Sequence, residues 1–286
     1  MILIADSGST KTEWVLLNNG KVEMQCFTMG INPYFIDTNG VIEIIQNELI
    51  PSIGALQPTE IYFYGSGCST TTKQSIVENA LRNFFPNSMV SITHDLLASA
   101  RALCMDQEGI ACILGTGSNS CLYNGKEIIE NVPSLGYFFA DEGSGGHLGK
   151  ILLTRYLRGD LSANTQELFK NQYNYSLENV LDAVYNQPKP NRYLASFAPF
   201  VHQNLHIPEI REIAKYSFRD FFQNQVCKYT NYQSVNVSFI GSVSYYFADL
   251  LKEVASEFDV NVGVIYKSPM EGLLKYHEAM EVVKSI

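Results

Sequence analysis

The sequence predicts an α/β protein in which one hairpin-led unit is used twice. An apolar strand, a glycine and hydroxyl loop, a second strand, an Asn-Gly turn and a third strand open the chain. The same run returns roughly a hundred residues later. Both copies then alternate between helical and strand periodicity. A length of 286 residues suffices for two domains, and an apolar content of 46% suffices for a core in each.

In the first copy, Ile2 to Ala5 and Trp14 to Leu17 read as strands on either side of the loop Asp6-Ser7-Gly8-Ser9-Thr10-Lys11-Thr12. Asn18-Asn19-Gly20 predicts a type I′ turn into a strand from Lys21 to Thr28, because both central residues of that turn need positive φ. Asp37 or Thr38 starts a helix with Val41, Ile44, Ile45 and Leu49 on one face. A strand from Ile61 to Tyr64, a helix from about Thr71 to Phe84, a strand from Met89 to Thr93 and a helix after Asp95 complete the copy. The second copy has strand Ile110 to Leu114, loop Gly115-Thr116-Gly117-Ser118-Asn119, strand Ser120 to Tyr123, turn Asn124-Gly125 and strand Lys126 to Glu130. A helical insertion over about 143–232 contains the breaker Gln187-Pro188-Lys189-Pro190. Strands Val235 to Ile240 and Val260 to Ile265, with helices from about Tyr245 and from Met270, close the pattern. The expected division is therefore 1–107 and 108–286, with a cleft between the halves as the natural binding place.

Composition narrows the function. With 20 Lys+Arg against 29 Asp+Glu the net charge is −9, and the basic residues are scattered singly. That argues against nucleic acid and against a membrane surface, and for a small-molecule substrate. The first residues turn apolar at once without a basic leader, and no stretch is apolar enough to span a bilayer, so a cytoplasmic location is expected. Cys26, Cys68, Cys104, Cys112, Cys121 and Cys227 form no CxxC pair and read as buried thiols. His202, His206 and His277 are isolated and read as structural, and the Tyr/Phe series over 216–232 reads as core.

The first loop contains Gly-Ser-Thr-Lys-Thr but is not a Walker A segment, which needs GxxxxGK[ST] opening a helix; here a strand follows. It supplies backbone N–H groups and hydroxyls at a tight turn, with Asp6 placed to hold Mg²⁺ directly or through water. The second loop offers the same donors without an acid. As a matched pair they read as a clamp for the β- and γ-phosphates of ATP. Asp95, in Thr93-His94-Asp95, is either the N-cap of the following helix or a general base at a strand end. Asp141-Glu142-Gly143-Ser144 lies in a glycine-rich segment that could bind sugar hydroxyls or position a metal, or merely start a helix. Gly65-Ser66-Gly67-Cys68-Ser69-Thr70 is either a substrate loop or a helix cap. Gly241-Ser242 would let a flat adenine or ribose approach the backbone.

These motifs together resemble the BadF/BadG/BcrA/BcrD ATPase family, and within it the N-acetylglucosamine kinase branch, over Met1 to about Gly272. The resemblance implies the sugar kinase, actin and heat-shock chaperone fold: two RNase H-like domains closing on Mg·ATP. It also implies a homodimer. By motif match Asp6, Ser9, Thr10 and Thr116 contact phosphate or its metal, with Lys11, Gly115 and Gly117 in the same loops. Gly241 and Ser242 lie at the adenosine, and Asp95 is the base. Asn32, Gly67, Ser118, Asn119, Gly136 and Asp141 surround the sugar. Ahead of Asp141 the family's Gly-Trp-Gly-like segment is replaced by Leu135-Gly136-Tyr137-Phe138-Phe139-Ala140. Two alternatives on the same fold are an ATPase activator of a 2-hydroxyacyl-CoA dehydratase or benzoyl-CoA reductase type system, and a non-catalytic sugar sensor. The activators carry a cluster-ligating cysteine pair that has no matching place here.

Overall fold

A computed structural model describes residues 1–8 and 10–284, the last four of these by their backbone. It resolves into two units, one formed by Met1–Met105 together with the C-terminal segment from Pro269, the other by Asp106–Ser268. The expected division placed that C-terminal segment with the second half. The helix Met270–Lys284 instead belongs to the first unit, where Gly272 lies so close to Ala102 that a Cβ would sit 2.3 Å from the Ala102 carbonyl oxygen.

The first unit's sheet contains β1 (Ile2–Ser7), β2 (Lys11–Asn18), β3 (Lys21–Met29), β4 (Glu60–Gly65) and β5 (Met89–His94), in the order β3-β2-β1-β4-β5. β1 runs antiparallel to β2 and parallel to β4, and β4 runs parallel to β5. As the middle strand, β1 is apolar on both faces, and Leu3, Ile4 and Ala5 are fully buried. Trp14 pairs with Ala5 in register, a large side chain against a small one, and its indole N–H donates to Thr28 Oγ1 at 3.0 Å. The turn at Asn19-Gly20 has positive φ at both residues, as the hairpin pattern requires. Helix Thr38–Ile44 is capped by Asp37, and helix Thr71–Phe84 is capped by Thr70.

The second unit repeats the arrangement with β6 (Glu108–Leu114), β7 (Ser118–Asn124), β8 (Ile128–Glu130), β9 (Asn236–Ile240) and β10 (Val262–Tyr266), in the order β10-β9-β6-β7-β8. This is the first unit's order read from the other edge, with the same strand directions. Two such sheets, each led by a hairpin and each followed by helices, are the duplicated RNase H-like architecture. The insertion between β8 and β9 is helical, and the helix Pro208–Asn224 buries Phe218, Phe221 and Phe222 completely. Tyr229 is buried as well, whereas Tyr216 is exposed, so the aromatic series over 216–232 is core in part. Cys68, Cys104, Cys112 and Cys121 are buried, while Cys26 and Cys227 are half-buried. Among the described residues, no helix is long and apolar enough to cross a membrane.

Candidate active site

In the first unit, register decides which residues meet. Ser7 pairs with Gly65 across β1 and β4, and Gly65 pairs with His94 across β4 and β5, so three parallel strands end in one row. Carboxyl ends of parallel strands are where α/β sheets bind ligands. The row delivers Asp6 from β1, Ser66 just past β4 and Asp95 just past β5. Ser66 Oγ donates to Asp95 Oδ2 at 2.7 Å.

Asp95 does not cap its helix. The helix spans Asp95–Cys104, and its N-cap is His94, whose Nδ1 accepts from Leu97 N–H at 3.3 Å. His94 can accept because burial lowers its pKa and favours the neutral ring, outweighing the opposing pull of Asp95. The capping role that competes with catalysis for Asp95 is therefore filled by its neighbour.

Asp6 is an acid under pressure. Burial pushes its pKa from 3.8 up to about 7, with Asp95 and Glu13 adding repulsion and Lys11 opposing. Such an anion is stabilised by any cation brought to it, and its carboxyl oxygens suit a hard divalent ion. Among the described residues no group of three or more His, Cys, Asp and Glu side chains converges to hold a metal. A cation at Asp6 would complete its shell with phosphate oxygens and water, which is how Mg²⁺ is usually held.

The rest of the first loop is anchored from behind. Ser7 Oγ is 2.7 Å from Thr12 Oγ1 and accepts from Ile31 N–H at 3.0 Å, while Thr10 O accepts from Gly30 N–H at 3.0 Å. Lys11 places its ammonium 4.7 Å from the Phe27 ring centroid, so at rest it is engaged on the sheet face. Ser9 lies outside the described residues. Asn32 and Gly67 do come together: a Cβ on Gly67, which has φ +83°, would fall 2.4 Å from Asn32 Oδ1. Thus Asp6, Thr10, Lys11, Asn32, Gly67 and Asp95 all lie in the first unit.

In the second unit β6 and β9 also end level, with Ile113 opposite Ile240. Gly241, at φ +126°, passes so close to β6 that a Cβ would lie 2.2 Å from the Leu114 carbonyl oxygen. Only glycine fits there. Gly115 has no atom within 4 Å of its Cβ position, leaving that face open. The loop is tied to the turn that follows Asp141: Gly145 N–H donates to Gly115 O at 2.8 Å, and Gly146 N–H donates to Thr116 O at 3.1 Å. Asp141 Oδ1 accepts from Ser118 N–H at 3.2 Å, and burial raises the Asp141 pKa against the lowering effect of that bond. The acids precede the helix Gly145–Arg158, whose N-cap is Ser144, so neither is spent on its first turn. Ser118 Oγ is buried without a partner among the described residues. Asn119 Oδ1 accepts from Ser120 N–H at 2.9 Å and from Asn131 Nδ2 at 3.1 Å. Gly136 opens the short helix Gly136–Phe139, beside the exposed Leu135, Phe138 and Phe139, and its carbonyl accepts from Ala140 N–H at 2.8 Å.

A cavity of about 450 Å³ opens beside Gly115, Thr116 and Ser242, walled by Pro199, Tyr246 and Phe247. His202 is on its lining as well, so of the three histidines set aside as structural this one borders a candidate site. The sequence contained no signal for it, since the insertion helices and β9 meet only in the fold.

Two sheets of one order, each with a glycine and hydroxyl loop after its leading strand, define the two-domain ATPase class to which sugar kinases and actin belong. A Porphyromonas gingivalis protein provisionally designated an N-acetylglucosamine kinase has the same structure with a TM-score of 0.92, at 41% identity over 98% of this chain and 99% of its own. The chain belongs to that N-acetylglucosamine kinase-like family. A Chromobacterium violaceum protein of the same provisional designation matches with a TM-score of 0.73 at 16% identity, over 96% of this chain and 98% of its own. A ROK family glucokinase from Streptomyces griseus, in complex with glucose and AMPPNP, matches with a TM-score of 0.54 at 11% identity, over 96% and 97% of the two chains. These two establish likeness of fold. No family model and no curated protein matches the chain.

Proposed function

We propose that the chain is an ATP-dependent kinase that phosphorylates N-acetylglucosamine or a related amino sugar. The observation that carries this reading is Asp95, released from helix capping by His94 and aimed by Ser66 at the strand ends that also present Asp6. A sugar hydroxyl would give its proton to Asp95 as its oxygen attacks the γ-phosphorus, and ADP would leave with the bond to the β-γ bridging oxygen. Ser66 holds one carboxylate oxygen, so the other is directed to the incoming proton.

Asp6 would hold Mg²⁺, with Thr10 at the same loop. Bound there, the ion would neutralise phosphate charge. In the second unit, Gly115, Thr116 and Gly117 would present backbone N–H groups and a hydroxyl to phosphate oxygens. The cavity beside Gly241 and Ser242 would take the adenosine, its aromatic walls suiting a flat base. Asn32 and Gly67 in one unit, and Ser118, Asn119, Gly136 and Asp141 in the other, are the proposed sugar ligands. The buried, unpartnered Ser118 hydroxyl supports this, since a buried donor needs a partner and a sugar hydroxyl would be one. A cytoplasmic location, where ATP is available, belongs to the same reading. ADP release measured across a panel of amino sugars tests it: release stimulated by N-acetylglucosamine or a close relative is expected, and no stimulation by any of them would overturn it.

A further inference from the structure

The turn Asp141–Gly146 bears on both candidate functions of the second unit, because Asp141 holds Ser118 and the amides of Gly145 and Gly146 hold the phosphate loop. Its own support comes from behind. Gly143, at φ +76°, donates its N–H to Ser217 Oγ at 3.2 Å. Ser217 is fully buried, and the same oxygen lies 2.9 Å from His147 Nδ1. On the other side of the ring, Asp220 Oδ2 lies 3.9 Å from His147 Nε2.

The order of protons follows from these contacts. A carboxylate facing Nε2 favours the tautomer with its hydrogen there, which leaves Nδ1 as an acceptor. Ser217 then donates its O–H to Nδ1 and turns a lone pair to the Gly143 N–H. Lys150 on the same helix, and Asp220 and Tyr216 on the helix Pro208–Asn224, are the charged or titratable groups facing the ring. Burial, helped by Lys150, lowers the His147 pKa to about 4, so the ring is neutral, and Asp220 at 3.9 Å lies beyond hydrogen-bond distance of it. Serine, histidine and aspartate in this order look like a nucleophilic triad. Ser217, however, is enclosed and bonded on both sides, and it has no access to a substrate.

We propose that His147 and Ser217 form a positioning relay that holds the Asp141–Gly146 turn, and through it Asp141 and the Gly115–Gly117 loop. The kinetic consequence rests on the kinase reading; the structural one does not.

The test compares Ser217→Ala, His147→Asn and His147→Gln with the unaltered chain, using Ser88→Ala as a control that removes a buried hydroxyl bonded to Pro58 O. The amide of Asn reaches the place of Nδ1, whereas that of Gln reaches the place of Nε2. Hydrogen exchange over residues 115–118 and 141–147 is followed with sugar and ATP kinetics. Ser217→Ala and His147→Gln should speed exchange in both segments about tenfold or more, since the first removes the acceptor of a buried N–H and the second leaves that acceptor's hydroxyl unheld. In the same variants the KM for sugar should rise by a similar factor while kcat changes less. His147→Asn should stay within about threefold of the unaltered chain in both readouts, as expected when a single hydrogen bond is conserved. A packing role alone predicts the opposite ranking, because Gln is nearer to histidine in size. Exchange as slow in Ser217→Ala as in Ser88→Ala, or His147→Gln performing as well as His147→Asn, would overturn the relay. If the unaltered chain turns over no amino sugar, the kinase reading fails, and the exchange ranking still decides the relay. Should Ser217→Ala not fold, the two histidine variants decide it between them.

Discussion

Asp6→Asn tests whether the acid proposed to hold Mg²⁺ is kept in a place that disfavours its charge. Unfolded, Asp6 ionises near 3.8; folded, it ionises near 7, chiefly because of burial and secondarily because of Asp95. At about 1.4 kcal/mol per pH unit, the ionised folded form carries a penalty of about 4 kcal/mol above pH 7, and roughly half of that is expected after local relaxation. A raised pKa means that this contribution to stability is complete below pH 4 and is lost as pH climbs from 4 to 7. Asparagine stays neutral throughout and escapes the loss. Without nucleotide or divalent cation, Asp6→Asn should therefore be the more stable protein at pH 8, with Tm higher by roughly 5 °C and an advantage that shrinks toward pH 5. Mg·ATP should reverse the ranking by stabilising only the carboxylate. Calorimetry at constant ionic strength over pH 5 to 8 measures this. An advantage independent of pH, or a variant less stable at pH 8, would refute the argument. In an Asp95→Asn background the advantage should diminish, because one source of the raised pKa has gone.

Asp95→Asn itself should lower kcat by about 10²- to 10⁴-fold, the span of general base catalysis, while sugar affinity measured calorimetrically stays nearly constant, since an amide oxygen still accepts from Ser66. Equal turnover in the variant would remove Asp95 from the chemistry. Gly241→Ala puts a Cβ within 2.2 Å of the Leu114 carbonyl at φ +126°. It should cost about 2 to 4 kcal/mol in urea denaturation and weaken nucleotide binding more than sugar binding. Trp14→Phe breaks the bond to Thr28 Oγ1, so it should cost about 1 to 3 kcal/mol of stability in urea denaturation.

Much of this architecture is legible in the chain because it depends on local signals. Asn19-Gly20 can only turn one way, and β1 reads as apolar on both faces because it sits between two neighbours. The repeat is visible because the same hairpin chemistry occurs twice. The helix Met270–Lys284 was misplaced because nothing local says which sheet a terminal helix will pack on; that choice is made by Gly272 meeting Ala102, more than a hundred residues away in sequence. The loops are legible as glycine and hydroxyl clusters, and Asp95 as an acid at a strand end. What selects between its two roles is His94, an uncommon helix cap. Ser217, His202 and Pro199 lie on inserted helices whose periodicity reports only that they are amphipathic. Their partners Gly143 and Ser242 are distant in sequence, so their role comes from tertiary packing alone.

The central claim is that a phosphoryl group passes from ATP to a sugar hydroxyl. Mass spectrometry of the sugar, taken alongside ADP measured in the same reaction, tests this most directly. The account predicts a phosphorylated amino sugar formed in one-to-one ratio with ADP, with both abolished together in Asp95→Asn. ADP without sugar phosphate, or sugar binding with neither product, would contradict it.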